Sequence, residues 1–216
     1  MKRNDVMNKK FGEKIKKSYD AIADTWNEKR EWYLEQGAVD EAITHLPSDA
    51  KILDVGCGSG KPISAYLIDK GFDVYAVDIS VKLIEYAKQV IPEDQLFVSD
   101  ICDFSTDIKF DAIVCWFALF HIHADHHLDV LKKFHSFLKP NGILLITFAD
   151  TSYEPDLTKI KVIDEHTIES EMFGEQFYHS GNPPEINTQL ITLAGFDIIT
   201  DIIDQPGNQV ILAIKN

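Results

Sequence analysis

A strand that ends in a glycine-rich turn is the sequence feature that most constrains the fold of this chain. Lys51 to Val55 is short and apolar, and the segment Leu53–Gly60 reads LDVGCGSG. Glycine at alternate positions lets the main chain turn sharply into a following helix and pass close to a ligand. A dinucleotide-binding turn would have its last glycine at position 61, where this chain has Lys61. Asp54, just before the glycines, would repel a pyrophosphate but suits a ligand that carries an ammonium or sulfonium group.

Strand-like and helix-like segments alternate through the middle of the chain. Strands are predicted at 51–55, 72–77, 95–98, 110–116 and 142–148, and helices at 62–69, 81–90 and 125–138, with Ser80 as an N-cap. Parallel strands need such helical crossovers, so the alternation predicts an α/β fold with a parallel sheet covered on both faces. A helix at 185–194 and strands at 196–204 and 209–214 follow. Gly207-Asn208 between these two strands predicts an antiparallel hairpin.

The segments suit one domain in four parts, 1–216, because 216 residues are enough to bury one full sheet core. Helical periodicity at 11–34 and 39–46 predicts an N-terminal helical cap over 1–47, and a ligand-binding core follows over 48–149. Residues 150–184 are polar and irregular and form an insertion, with a short strand or two expected at 167–178. The C-terminal helix and hairpin occupy 185–216. Trp26, Trp32 and Tyr33 are expected to form the core of the cap, and one of them could also wall a pocket.

Charge and composition narrow the range of partners. The formal net charge is −14, whereas a protein that grips a phosphate backbone normally presents a basic face, so we expect no nucleic-acid partner. No apolar run approaches the roughly 20 residues that cross a bilayer, and the basic start of the chain lacks the apolar region of a signal peptide. Cys57, Cys102 and Cys115 lack metal-ligand spacing and indicate free thiols in a reducing cytoplasm. A monomer or homodimer without membrane contact is expected.

Two further acids follow the next two strands. Asp78 ends the second strand, where a carboxylate can accept hydrogen bonds from the hydroxyls of a ribose. Asp100 follows the third strand and could accept a hydrogen bond from an exocyclic adenine amine, while the Ile101 N–H donates to the ring. Since the carboxyl ends of parallel strands meet at one edge of a sheet, these groups indicate a nucleoside site beside the glycine turn.

These features, in this order, resemble the class I, Rossmann-like S-adenosylmethionine-dependent methyltransferases. The resemblance spans most of the chain and rests on LDVGCGSG (53–60), AVDIS (76–80), Ser99-Asp100, FDAIV (110–114), LKPNG (138–142) and AGF (194–196). A finer similarity, at GKPI (60–63), FALFHI (117–122) and FYHS (177–180), is to a bacterial small-molecule-type subgroup. That subgroup often carries an aromatic-Trp-Ser-His-like run after the fifth strand, and this chain departs from it with His179 and Gly181 in the places of Trp and His.

The resemblance implies a doubly wound sheet of seven strands in the order 3-2-1-4-5-7-6, with the last strand antiparallel. It implies S-adenosyl-L-methionine as the cofactor and S-adenosyl-L-homocysteine as the product. Asp54 and Gly56 would lie near the methionine part, and Tyr19 would close over the cofactor carboxylate. The implied cofactor-binding set is Tyr19, Asp54, Gly56, Cys57, Gly58, Gly60, Asp78, Ile79, Asp100, Ile101 and Trp116.

Methyl transfer from a sulfonium needs alignment of the acceptor, exclusion of water and sometimes removal of a proton, but no metal. Trp116 would line the site after the fourth strand, and His121 is the candidate base, with a hydrogen-bonded structural histidine as the alternative. Tyr178 and His179, in the insertion, are candidate substrate contacts. His123, His126 and His127 are interpreted as part of a solvated loop rather than as a metal site.

The sequence leaves several functions open. The leading hypothesis is methyl transfer to the O, N or S atom of a small molecule. Aminopropyl transfer from a decarboxylated cofactor would keep the same motif, but it would need a further acidic pocket. The motif is also compatible with a protein methyltransferase, and with a regulatory protein that binds the cofactor without catalysis.

Overall fold

The helices and strands follow the alternation that the sequence predicts. The computed structural model describes residues 3–29, 36–148, 160–204 and 207–216; for residues 3–8 and 36 it describes the main chain alone. The helices are α1 (Arg3–Lys29), α2 (Gln36–Thr44), α3 (Ile63–Asp69), α4 (Val81–Ala87), α5 (His127–Phe137) and α6 (Pro184–Leu193). The strands are β1 (Lys51–Val55), β2 (Asp73–Asp78), β3 (Leu96–Val98), β4 (Phe110–Cys115), β5 (Leu138–Phe148), β6 (Ile160–Val162), β7 (Thr167–Met172), β8 (Glu175–Ser180), β9 (Phe196–Ile203) and β10 (Gln209–Lys215).

Seven strands form the main sheet in the order β3-β2-β1-β4-β5-β10-β9. Strands β1 to β5 pair in parallel, and β10 pairs antiparallel with both β5 and β9. Because β9 and β10 are the sixth and seventh strands of this sheet, the predicted order 3-2-1-4-5-7-6 and the antiparallel last strand are confirmed. The strand order reverses between β1 and β4, and the carboxyl ends of strands at such a point are where ligands bind in open α/β sheets.

Successive side chains of each central strand point to opposite faces of the sheet, and helices cover both faces. Leu53 and Ile113 pack with Phe134 of α5 on one face. Ile52 and Val114 pack with residues of α2 and α3 on the other. Strands with two buried faces carry nearly continuous apolar sequence, which is why the sequence pattern alone predicts β1 and β4.

A second, antiparallel sheet of three strands, β6-β7-β8, occupies the predicted insertion. Two of these strands, β7 and β8, fall where short strands were expected, and β6 is an addition; residues 150–159 of the insertion lie outside the described residues. Strand β8 meets α1, since the Ser18 hydroxyl donates to the Gln176 carbonyl at 2.8 Å and the Phe11 ring stacks on Tyr178 at 4.4 Å. The small sheet and α1 together cover the carboxyl ends of the main strands.

Element ends differ from the predictions where turn residues are incorporated into regular structure. Strand β5 begins at Leu138 rather than Gly142, because a register shift opposite β4 accommodates Pro140 and the positive φ of Asn141. Helix α4 ends at Ala87 rather than Val90, and α1 begins at Arg3 rather than Phe11. The predicted end of α1 at Leu34 and the side chains of Trp32 and Tyr33 lie outside the described residues. Within the described ranges, none of the helices is long and apolar enough to cross a membrane.

Ser80 is the N-cap of α4, as predicted, and it joins α4 to α1. Its Oγ accepts a hydrogen bond from Leu83 N at 3.1 Å and donates to Asp20 Oδ1 at 2.7 Å. We expect Ser80→Ala to lower the free energy of unfolding by about 1 to 2 kcal/mol, because both bonds are lost at a buried site. Urea titration followed by circular dichroism measures this. Ser136→Ala, at an exposed position of α5, should change the value by less than about 0.5 kcal/mol, and equal losses in the two variants would contradict the assignment.

Candidate active site

A cavity of about 830 Å³, including its opening, lies at the carboxyl ends of β1, β2 and β4 and beneath α1. Nine residues of the predicted site line it: Tyr19, Gly56, Gly58, Asp78, Ile79, Asp100, Ile101, Trp116 and His121. Five others of that set, Asp54, Cys57, Gly60, Tyr178 and His179, are not part of its wall. The sequence therefore located the cavity, and most of the implied cofactor-binding positions surround it.

The turn after β1 needs its glycines for conformational reasons. Gly56, Gly58 and Gly60 have φ values of 73°, 56° and 79°, in the left-handed region that residues with a Cβ rarely adopt. A Cβ at Gly56 would also lie 2.3 Å from the Cβ of Ala118, which follows β4. The two turns thus pass so close together that position 56 has no room for a side chain, and Gly56 and Ala118 both line the cavity.

Asp78 holds the glycine turn against the start of α4. Its Oδ2 accepts a hydrogen bond from Gly58 N at 2.8 Å, and its Oδ1 accepts one from Ser80 N at 2.8 Å. Burial raises the pKa of Asp78, and these two N–H groups oppose the rise. Each carboxylate oxygen has a second lone pair, so the side chain retains acceptor capacity towards the cavity that it lines.

Asp100 and Ile101 form the cavity wall after β3. Asp100 Oδ1 accepts a hydrogen bond from Cys102 N at 2.9 Å, which fixes the carboxylate on its own turn. Helix α1 crosses directly above: a Cβ at Gly12 would lie 2.4 Å from Asp100 Oδ2 and 3.5 Å from Ile79 Cδ1. Sequence reasoning missed Gly12, because a glycine within an otherwise regular helical pattern carries no sign of what it faces.

Asp54, Cys57 and Gly60 support the turn from below instead of facing the cavity. Asp54 is 2% exposed and accepts a hydrogen bond from Ser64 Oγ of α3 at 2.5 Å. Cys57 packs with Ile84 and neighbouring apolar side chains of α4, where burial raises the pKa of its thiol well above the usual range. The expected proximity of Asp54 to the methionine part of a cofactor remains a prediction.

His121 is held at both ring nitrogens. Its Nδ1 lies 2.8 Å from the carbonyl oxygen of Tyr178, and its Nε2 lies 2.8 Å from the hydroxyl of Tyr19. A carbonyl only accepts hydrogen bonds, so the Nδ1 of the neutral ring carries the hydrogen and Nε2 accepts the Tyr19 O–H. Tyr19 therefore occupies the nitrogen through which His121 was expected to act as a base on the substrate.

The two substrate candidates of the insertion lie behind His121. Tyr178 reaches His121 through its carbonyl, while its ring stacks on Phe11 of α1. His179 packs against the rings of Phe120 at 5.3 Å and His121 at 5.2 Å. Burial lowers the pKa of His179 to about 4, so the ring is neutral at pH 7. The structure does not bring either side chain to the cavity wall.

Aromatic side chains form another part of the wall. Trp116 and Phe117 follow β4, and their rings meet edge to face at 5.5 Å. Trp26 of α1 lies 5.3 Å from Tyr19 and also lines the cavity, as one of the cap aromatics was expected to. Phe117 has a φ of 53°, a strained value for a residue with a side chain, and its N–H donates to Thr147 Oγ1 at 2.6 Å.

The histidines after His121 are not a solvated loop, and that interpretation is wrong. His123 and His127 are 7% and 1% exposed. Nε2 of His123 lies 3.3 Å from Asp164 Oδ2, in the turn between β6 and β7, and Nε2 of His127 lies 3.0 Å from the Ile122 carbonyl. Burial lowers the pKa of His127 to about 4. In the part of the chain that the structure describes, no three His, Cys, Asp or Glu side chains form a group that could hold a metal ion.

Comparison with known proteins identifies one matching sequence family and many solved structures of similar fold. The profile of the methyltransferase-domain family matches residues 26–199. An uncharacterized methyltransferase of Oceanobacillus iheyensis is 30% identical over 118 residues, which are 54% of this chain and 54% of that protein. A dTDP-3-amino-3,6-dideoxy-alpha-D-glucopyranose N,N-dimethyltransferase of Streptomyces fradiae is 30% identical over 47% of this chain and 40% of its own length. The matched segments thus span about half or less of these curated relatives.

A solved structure matches over the whole chain. The 1,6-didemethyltoxoflavin-N1-methyltransferase of Burkholderia thailandensis, with 1,6-didemethyltoxoflavin and S-adenosylhomocysteine bound, superposes with a TM-score of 0.69. The two chains are 18% identical, and the match covers 100% of this chain and 92% of the other. At this identity the likeness is one of fold.

Gly12 provides a test of the cover that α1 forms. Gly12→Ala places a methyl group against the Asp100 carboxylate, so either α1 lifts or the carboxylate turns away. We expect S-adenosylhomocysteine to bind at least tenfold more weakly, a loss of about 1.4 kcal/mol, in calorimetric titration. Gly37→Ala, with no atom within 4 Å of the added carbon, is the matched control. Unchanged affinity of Gly12→Ala would exclude α1 as a close cover of this part of the cavity.

Proposed function

The chain belongs to the methyltransferase-domain family, and we propose that it transfers the methyl group of S-adenosyl-L-methionine to a small-molecule acceptor. One observation carries this proposal. A single cavity joins Asp78 and Asp100, at the ends of β2 and β3, to an aromatic wall formed by Tyr19, Trp26 and Trp116. Such a cavity has one side suited to a nucleoside and another suited to an acceptor, and the two sides meet at the glycine turn.

Asp78 and the turn after β3 would hold the nucleoside. The Asp78 carboxylate accepts hydrogen bonds from the ribose hydroxyls, since it lines the cavity and each of its oxygens has a second lone pair. Asp100 accepts one from the exocyclic amine of adenine, and the Ile101 N–H donates to the ring. Gly56 and Gly58 let the main chain come near the methionine part, because neither has a side chain to exclude it.

The charge of the wall suits a sulfonium. Among the described residues that line the cavity, the carboxylates are Asp78 and Asp100, and no lysine or arginine is present. A cationic sulfonium is therefore not repelled, and its positive charge is lost as the methyl group leaves. S-adenosyl-L-methionine carries the activated methyl group, so the protein's task is to align the acceptor atom with it and to exclude water.

The residues that line the cavity also limit the charge of the acceptor. Aromatic rings pack against flat or apolar molecules and attract cations, whereas an anionic acceptor would find no basic partner among the described lining residues. We therefore favour a neutral or cationic small molecule. The Streptomyces fradiae relative is named for an amino sugar, whereas relatives of similar identity are named O-methyltransferases, so the names of the relatives favour neither nitrogen nor oxygen as the acceptor atom. Aminopropyl transfer is disfavoured, since the described wall offers no further carboxylate.

Tyr19 and His121 would remove the acceptor proton together. The acceptor lone pair forms the new bond to the methyl carbon, and the carbon–sulfur bond breaks with its electrons left on sulfur. The acceptor proton passes to Tyr19 Oη as the Tyr19 proton passes to His121 Nε2 over the 2.8 Å contact. The Tyr178 carbonyl, bound to Nδ1, stabilises the imidazolium that results.

We also place the protein in the cytoplasm, because its three cysteines are free thiols.

Calorimetric titration with S-adenosylmethionine, S-adenosylhomocysteine and NAD tests the cofactor. We expect both sulfur nucleosides to bind with a Kd of about 1 to 100 μM, and NAD not to bind. Asp78→Ala should weaken both at least tenfold, about 1.4 kcal/mol, because the ribose loses its acceptor. Asp197→Ala, at an exposed position of β9, is the control. Failure of the wild-type protein to bind either sulfur nucleoside would overturn the proposal.

A panel of small amines and phenols, with release of S-adenosylhomocysteine as the readout, tests the proton path. With the acceptor that turns over fastest, Tyr19→Phe and His121→Ala should each lower kcat at least tenfold. The double variant should lose no more than either single one, because both residues act on one proton. Tyr66→Phe, outside the cavity, should keep wild-type turnover. Full activity of Tyr19→Phe would exclude Tyr19 as the group that receives the proton.

A further inference from the structure

The side chain of Lys133 lies outside the cavity, against the turn that follows β3. From α5 its ammonium group donates to the carbonyl oxygens of Ile101 at 3.0 Å and Phe104 at 3.1 Å, and also to that of Cys102. An ammonium group has three N–H donors, and these three carbonyls use all of them. The Ile101, Cys102 and Phe104 carbonyls of this turn therefore converge on one positive charge.

The N–H groups of the same turn donate to Asp100. The Asp100 side chain accepts the hydrogen bond from Cys102 N, and the Asp100 main-chain oxygen accepts bonds from Asp103 N at 3.0 Å and Phe104 N at 2.8 Å. One short turn thus has a cation at its carbonyl end and an anion at its amide end, an arrangement that favours a single orientation of its peptide groups. Of the residues 100–104 that form this turn, Asp100 and Ile101 line the cavity.

We propose that Lys133 is a positioning residue that sets the preference of the site for an adenine base. It holds the peptide groups of 101–104, and through them the Asp100 carboxylate and the Ile101 N–H, in the orientation that meets the amine and ring of adenine. This inference rests on the proposed cofactor. The ribose contact belongs to Asp78 on a different turn, so Lys133 acts on recognition of the base and leaves recognition of the sugar intact.

The turn has a second anchor that keeps it folded without Lys133. Phe104 is 6% exposed and packs against Phe97 at 5.2 Å and Phe137 at 5.8 Å. Loss of the ammonium group therefore releases the Ile101 and Cys102 carbonyls while the end of the turn stays in the core. The substitution changes how the base is presented more than whether the domain folds.

A pair of ligands that differ only at the base separates these effects. S-inosylhomocysteine has a carbonyl where S-adenosylhomocysteine has the amine, and its N1 carries a hydrogen. Its 6-position therefore cannot donate to Asp100, and its N1 cannot accept from the Ile101 N–H. We expect the wild-type protein to bind the adenine compound at least tenfold more tightly, by calorimetry. In Lys133→Met, affinity for the adenine compound should fall about tenfold and affinity for the inosine compound less than twofold, so the preference is largely lost. Lys133→Arg should restore part of it, and Lys132→Met, the exposed neighbour, should retain the wild-type preference.

Two results would overturn the role of Lys133. One is a Lys133→Met variant that prefers the adenine compound over the inosine compound as strongly as the wild-type protein does. The other is an equal loss of affinity for both compounds in that variant, which a merely structural lysine would give. Lys133→Gln, read in the same way, replaces Lys133→Met if thermal melting shows that the latter is unfolded. The proposed function fails separately, if the wild-type protein binds neither compound.

Discussion

The buried carboxylate of Asp78 is the group on which the arrangement of the site depends. It accepts hydrogen bonds from Gly58 N and Ser80 N, so one side chain fixes the glycine turn and the entry to α4 relative to each other. Burial raises its pKa, so the folded protein holds the proton more tightly than the unfolded chain does. Stability from this group is therefore present at low pH and is lost as the pH rises through the folded pKa. A buried carboxylate at the edge of a cavity is typical of a functional site.

Ser80 connects this carboxylate to the cover above it. Its N–H donates to Asp78 and its hydroxyl donates to Asp20 of α1, which also accepts a hydrogen bond from Lys82 N at 3.2 Å. Helix α1 is held at the far side by Ser18, which donates to β8. The cover and the Asp78 carboxylate thus share a partner in Ser80, and a shift of α1 relative to α4 would disturb both. The position of the cover over the cavity follows from these polar contacts together with the apolar packing of Ile15, Ile22 and Trp26.

Local patterns predicted the sheet well, because each strand and turn carries its own signal. The bounds of β1 and the N-cap of α4 agree with the sequence-based predictions, since apolar continuity and a capping serine are visible within a few residues. Contacts between distant segments were not predictable in this way. The hydroxyl of Ser180 accepts a hydrogen bond from Ala124 N, 56 residues away in sequence, and this pairing helps to bury the histidines that the sequence suggested were solvated. The position of Gly12 above Asp100 has the same origin, since only the docking of α1 brings them together.

The largest change from sequence to structure concerns His121. Its residue type and its place after β4 suggested a base that touches the substrate, and that role stays a prediction. The structure adds Tyr19 and the Tyr178 carbonyl, 102 and 57 residues away, on the two ring nitrogens. With both nitrogens engaged, the imidazole is fixed in orientation, and Tyr19, which also lines the cavity, occupies the nitrogen that was expected to meet the substrate. Helix α1 therefore both covers the cavity and supplies the partner of His121 Nε2, so the docking of α1 also fixes the orientation of that imidazole.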